Sequence, residues 1–104
     1  MRFATLVVVF LLFFSGPAMA GPHACADAVA AGMAQLKLSR ERISRTVFVD
    51  VRDGGCCDHL VGYEAWVDLK QCRGGVVVKL SRECDIEETY TRGACAVSGL
   101  KNFR

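Results

Sequence analysis

From Thr46 onward the apolar residues recur at every second position. Val47, Val49 and Val51 alternate with Phe48, Asp50 and Arg52, and Asp53-Gly54-Gly55 then supplies turn chemistry. Val61, Tyr63, Ala65, Val67 and Leu69 alternate with Gly62, Glu64, Trp66, Asp68 and Lys70. A second turn follows at Arg73-Gly74-Gly75, whose glycines accept positive φ. Val76, Val78 and Leu80 alternate in turn with Val77, Lys79 and Ser81. Ile86 to Thr91 makes a weaker fourth strand, Arg92-Gly93 turns the chain toward Cys95, and the tail from Ala96 to Arg104 has little pattern. Upstream the period is that of a helix. Between Ala24 and Leu38, Val29, Met33 and Leu36 share one face with Cys25, while Asp27, Gln35 and Lys37 fall off it. Ser39 to Arg45 reads as a basic, solvated connector with Arg40, Arg42 and Arg45 against Glu41.

These periods predict an α+β domain, with one N-terminal helix packed on a three- or four-stranded antiparallel sheet. The valine-rich face is expected to take the helix and the opposite face to be mostly polar. That second face nevertheless carries Phe48, Trp66 and Val77, expected to form one apolar patch. Such a patch is either covered by a loop or the tail, or left open as a contact surface. An exposed last strand leaves room for pairing along its edge.

The first twenty residues stand apart. Arg2 precedes an uncharged run from Phe3 to Phe14, Ser15-Gly16-Pro17 breaks it, and Ala18-Met19-Ala20 places small residues at the exit. Charged start, apolar middle and Ala-x-Ala exit make a secretory signal peptide over 1–20, leaving one domain over 21–104. The run is too short to span a bilayer and the mature chain offers no second one, so no membrane span is expected there. The protein is read as periplasmic or secreted.

Composition narrows the function classes. A chain of 104 residues, shorter once the leader is removed, has no room for a doubly wound nucleotide domain or a (β/α)₈ barrel. A net charge of +2 lacks the basic excess of a dedicated nucleic-acid binder. Six cysteines, Cys25, Cys56, Cys57, Cys72, Cys84 and Cys95, form an even set in a chain exported to an oxidising compartment. A domain this small has a marginal core, and disulfides make up the shortfall, so all six are expected to be paired. Neither Cys-x₂₋₄-Cys nor Cys-x-x-Cys spacing occurs. In Gly54-Gly55-Cys56-Cys57-Asp58-His59 the two adjacent cysteines are expected to join different distant partners. The sharper alternative is a metal or redox centre at Cys56, Cys57 and His59.

Little else suggests catalysis. His23 lies near a chain end expected to be mobile, and Pro22, which has no N–H to lose, rules out an amino-terminal copper site through that histidine. Ser98-Gly99-Leu100-Lys101 matches Ser-x-x-Lys outside the large domain that pattern needs. Asp85, Glu87 and Glu88 read as an exposed strand edge rather than paired catalytic carboxylates. No enzyme activity and no cofactor are expected.

Trp66, Cys72-Arg73-Gly74, Val76-Val77-Val78, Cys84 and Tyr90-Thr91-Arg92-Gly93-Ala94-Cys95 together resemble a pattern found in small, uncharacterised exported bacterial proteins. The resemblance covers about a third of the chain and implies bacterial origin and export, with no activity attached. The expectation is therefore a small, disulfide-stabilised, non-catalytic binding or structural module. Its working surface would lie around Phe48 and Trp66, joined by Tyr90 or by the Arg40, Arg42 and Arg45 segment, and its partner would be a periplasmic or extracellular protein. The alternatives are a thiol-redox or metal-binding protein using the Cys56–His59 loop, and a secreted toxin or effector.

Overall fold

A computed structural model describes residues 22–55 and 57–103. The signal peptide expected over 1–20 lies outside the described residues. The helix α1 (Ala26–Gln35) is followed by a 3-10 turn (Arg40–Arg42) and five strands. These are β1 (Ile43–Arg52), β2 (Leu60–Leu69), β3 (Gly74–Ser81), β4 (Ile86–Gly93) and β5 (Lys101–Phe103). They form one sheet in the order β1-β2-β3-β4-β5, with the first four strands an antiparallel meander and β5 parallel to β4. The α+β class is as expected, but the sheet is mixed and has one strand more than the pattern predicted.

Helix α1 begins where His23 organises the chain. The Ala26 N–H donates to the His23 carbonyl at 2.9 Å, and the Cys25 N–H donates to His23 Nδ1 at 3.0 Å. The ring of His23 stacks on Phe48 at 4.0 Å and meets Tyr63 edge-on at 4.5 Å. His23 is thus packed, with its ring and one nitrogen both committed. The helix ends in a Schellman motif. Lys37 takes a positive φ of 63°, its N–H donates to Ala34, and the Leu38 N–H reaches back to the Met33 carbonyl at 2.9 Å. Leu38 and Met33 are both buried, which supplies the apolar contact that motif usually carries.

The core lies between α1 and one face of the sheet. Val29 and Met33 of the helix, with Leu38, pack on Ala65, Val67 and Leu69 of β2 and on Val76, Val78 and Leu80 of β3. Both central strands therefore face as their alternation predicts. Strand β1 does not. Ile43 pairs with Leu69, but Arg45 pairs with Asp68, so one extra residue in β1 makes a bulge. Beyond it Thr46, Phe48 and Asp50 lie opposite Val67, Ala65 and Tyr63 on the helix side. Val47, Val49 and Val51 lie opposite Trp66, Glu64 and Gly62 on the open side. The expected grouping is thereby corrected: the β1 valines face away from the helix, and Phe48 faces toward it.

Two disulfides tie these layers. Cys25–Cys84 joins the start of α1 to the β3–β4 turn, and Cys72–Cys95 joins the β2–β3 turn to the segment after β4. These four cysteines pair among themselves, which overturns the expectation that Cys56 and Cys57 each bond one of them. Cys56 lies outside the described residues, and Cys57 is exposed. Disulfides suit an oxidising compartment. Among the described residues no helix is long and apolar enough to cross a membrane.

Strand β5 is held by a side chain. Asn102 Nδ2 donates to Thr91 Oγ1 and to the Cys95 carbonyl, each at 2.7 Å, and lies 3.3 Å from the Gly93 carbonyl. Thr91, fully buried, donates its own hydroxyl to the Lys101 carbonyl at 3.2 Å. Three residues are too few to show a period, which is why the tail has no legible strand. Strand β5 covers β4 from Tyr90 to Arg92, and the longest open edge among the described residues belongs to β1.

Candidate functional site

The register places one row of side chains across the open face: Val47 beside Trp66, Trp66 beside Val77, and Val77 beside Tyr90. Neighbouring strands lie about 4.8 Å apart, so Trp66 and Tyr90 stand about 10 Å apart with Val77 between them. Val77 is only 2% exposed although it faces away from the helix, because the side chains around it cover it. Two of the expected site residues, Trp66 and Tyr90, are thus brought together. Phe48 is not with them, since the bulge turns it to the helix face, where it stacks on His23.

Neighbours fix both aromatic rings. The Arg92 guanidinium lies 4.0 Å over the Trp66 ring, a cation–π contact. The indole Nε1–H donates to Glu64 Oε1 at 3.2 Å. Tyr90 meets Phe103 edge-to-face at 4.9 Å, and Phe103 is 49% exposed. Shallow clefts open beside these rings. One of 220 Å³ is lined by Trp66, Gly75, Val77 and Arg92, and another of 370 Å³ by Lys79, Glu88, Tyr90, Arg92 and Phe103.

Charge on this face is unevenly matched. Arg45 pairs with Asp68 at 3.2 Å, and Lys79 lies 4.0 Å from Glu88. Among the described residues Arg92 and Lys101 have no carboxylate in ion-pair range, and Glu64, bonded only to the neutral indole, has no cation in range. Counting Glu64, the face carries one more positive charge than negative around its aromatic row. Arg92 and Phe103 were not anticipated as site residues. Arg92 shares the alternation of Tyr90 and could have been found from it, whereas nothing in the tail's pattern marks Phe103.

The other candidates lie apart. Arg40 and Arg42 are exposed in the 3-10 turn, and neither lines the clefts beside the aromatic rings. In that turn the Ser39 hydroxyl, helped by the Glu41 backbone N–H, holds the Glu41 carboxyl below the usual carboxylate range. Asp58 and His59 are exposed in the β1–β2 loop, where the Asp53 N–H donates to the His59 carbonyl at 2.7 Å. Among the described residues no three His, Cys, Asp or Glu side chains converge as metal ligands. Ser98 lies in a turn and Lys101 opens β5, with no helix between them. Compared with protein-family models, curated proteins and solved structures, the chain matches none.

Proposed function

We propose that the chain is a small exported, non-catalytic binding module whose open sheet face grips a protein partner of the same compartment. Trp66 and Tyr90 are its apolar anchors, and Arg92 is its charged one. The partner presents an apolar side chain to the Trp66 and Tyr90 rings and a carboxylate to Arg92. The observation that carries this reading is Arg92 itself. A guanidinium laid on an indole with its charge unmatched is preorganised to accept a carboxylate, and it is oriented before the partner arrives. Aromatic residues and arginine are also the side chains most enriched among binding hot spots.

Trp66 is the one tryptophan of the chain, so its emission reports directly on this face. The probes are a short peptide with leucine flanked by glutamates and its lysine-flanked counterpart. The acidic peptide is expected to shift the emission, the lysine peptide to leave it unchanged, and Arg92→Gln to weaken binding about tenfold. Silence toward both peptides up to millimolar concentration, or an equal response to both, would overturn the proposal.

A further inference from the structure

Three features along β1 have no role in that reading. Its outer edge pairs with no strand among the described residues. Every second residue of such an edge turns its N–H and C=O outward. Between the bulges at Ile43/Arg45 and Val51/Arg52 the strand keeps a regular register from Arg45 to Val51, long enough to template another strand. On the open face Val47 and Val49 are 40% and 43% exposed. On the helix face a cleft of 300 Å³ runs between α1 and β1, walled by Met33, Ile43 and Phe48 together with Arg40, Arg45 and Thr46.

We propose that β1 is a homodimer seam, in which a second copy of the chain adds its own β1 antiparallel about a two-fold axis at Phe48. An axis perpendicular to the sheet keeps each side chain on its own face. With the axis at Phe48, Val47 lies opposite the second copy's Val49 on the open face. On the helix face Phe48 meets the second copy's Phe48, and Thr46 lies opposite Asp50, where its hydroxyl can donate to the carboxylate. Moving the axis to Val49 sets Phe48 against Asp50. Moving it to Val47 sets Phe48 against Thr46 and Val49 against Arg45. The Phe48-centred register alone of these three matches apolar to apolar on both faces, and it places no like charges opposite each other.

That self-complementarity argues for a second copy rather than a foreign strand. One act of pairing satisfies the outward backbone groups, covers the exposed valines and brings the two α1–β1 clefts together along the seam. A formal charge of +2 per chain opposes it only weakly. The product is one continuous ten-stranded sheet, with the two aromatic rows on the same side of it.

The test is the mass of the oxidised, exported protein by light scattering and sedimentation from micromolar to millimolar concentration. A doubled mass is expected at the upper end, with β1 amide protection rising with concentration. Val49→Lys is expected to raise the dissociation constant at least about tenfold, since it buries a lysine against the second copy's Val47 at both ends of the seam. Val47→Glu alone is expected to do the same. Mixing the two variants restores the dimer, because lysine at 49 then faces glutamate at 47 while valine faces valine at the other end. Both substitutions sit on an exposed face, and retention of both disulfides confirms the fold. A monomer at every concentration overturns the proposal. So does a dimer that neither substitution weakens, or one that mixing does not restore.

Discussion

Gly75 has no room for a side chain. A Cβ built there lands on the Val67 carbonyl oxygen, in the backbone of the adjacent strand, where neither group can yield cheaply. Gly54, in the loop after β1, meets nothing within 4 Å. Gly75→Ala is therefore expected to cost roughly 3 kcal/mol or more, as overpacking against a central strand pair does. Gly54→Ala should stay within about 0.5 kcal/mol of the parent. Chemical denaturation of the two variants side by side checks this, and similar midpoints would contradict the packing argument. Both glycines read alike in the sequence, as turn residues. Gly74 does play that part, with φ at +119°, whereas the need at Gly75 comes from a strand that only the fold brings alongside. Trp66 and Tyr90 were legible as site residues because large aromatics on the non-core phase of a strand are conspicuous. Phe48 misled for the same reason, because a phase carries no label saying which side the helix covers.

At the scale of elements, central strands announce themselves and edges do not. Strands β2 and β3 are flanked on both sides. From Gly62 to Leu69 and from Gly75 to Leu80 their alternation fixes which residues enter the core, whereas Val61, the extra residue of a bulge in β2, is exposed. Strand β1 begins with a bulge that shifts its phase by one residue, and the shift is invisible in a run where both phases carry apolar side chains. Strand β5 depends on a single amide. Asn102→Ala removes the donor to Thr91 and to the Cys95 carbonyl, leaving polar groups behind a buried threonine without their partner. The expected cost is about 1–3 kcal/mol. Hydrogen exchange provides the sharper check. The amides of Lys101 to Phe103 should lose protection in the variant while those of β2 and β3 keep theirs. Phe103 should at the same time leave Tyr90 and loosen one end of the aromatic row. Uniform loss across the sheet would mean that Asn102 supports the whole fold rather than its last strand.

For the whole molecule, the question is what keeps a short helix on the sheet. Helix α1 offers the core only Val29 and Met33, backed by Leu38, and alanine supplies much of the rest of its surface. That contact is small, and an isolated helix of 10 residues is marginal in water. Cys25–Cys84 compensates by fastening the first turn of α1 to the β3–β4 turn across a sequence separation of 59 residues. Cys72–Cys95 spans 23 residues and fastens the sheet to itself. The chain-entropy relation assigns about 4 kcal/mol to the first closure and about 3 kcal/mol to the second. The two bonds differ more in what they hold than in strength. Replacing Cys25 and Cys84 together by alanine should release the helix first, since the meander retains its own pairing. Far-UV circular dichroism and amide exchange should then show α1 melting at lower denaturant than β2 and β3. Replacing Cys72 and Cys95 should instead loosen the β2–β3 turn and the chain leading to β5, with α1 still docked. A single concerted transition in both variants would show that helix and sheet form one cooperative unit without the bonds. The disulfides would then raise stability without deciding the order of unfolding.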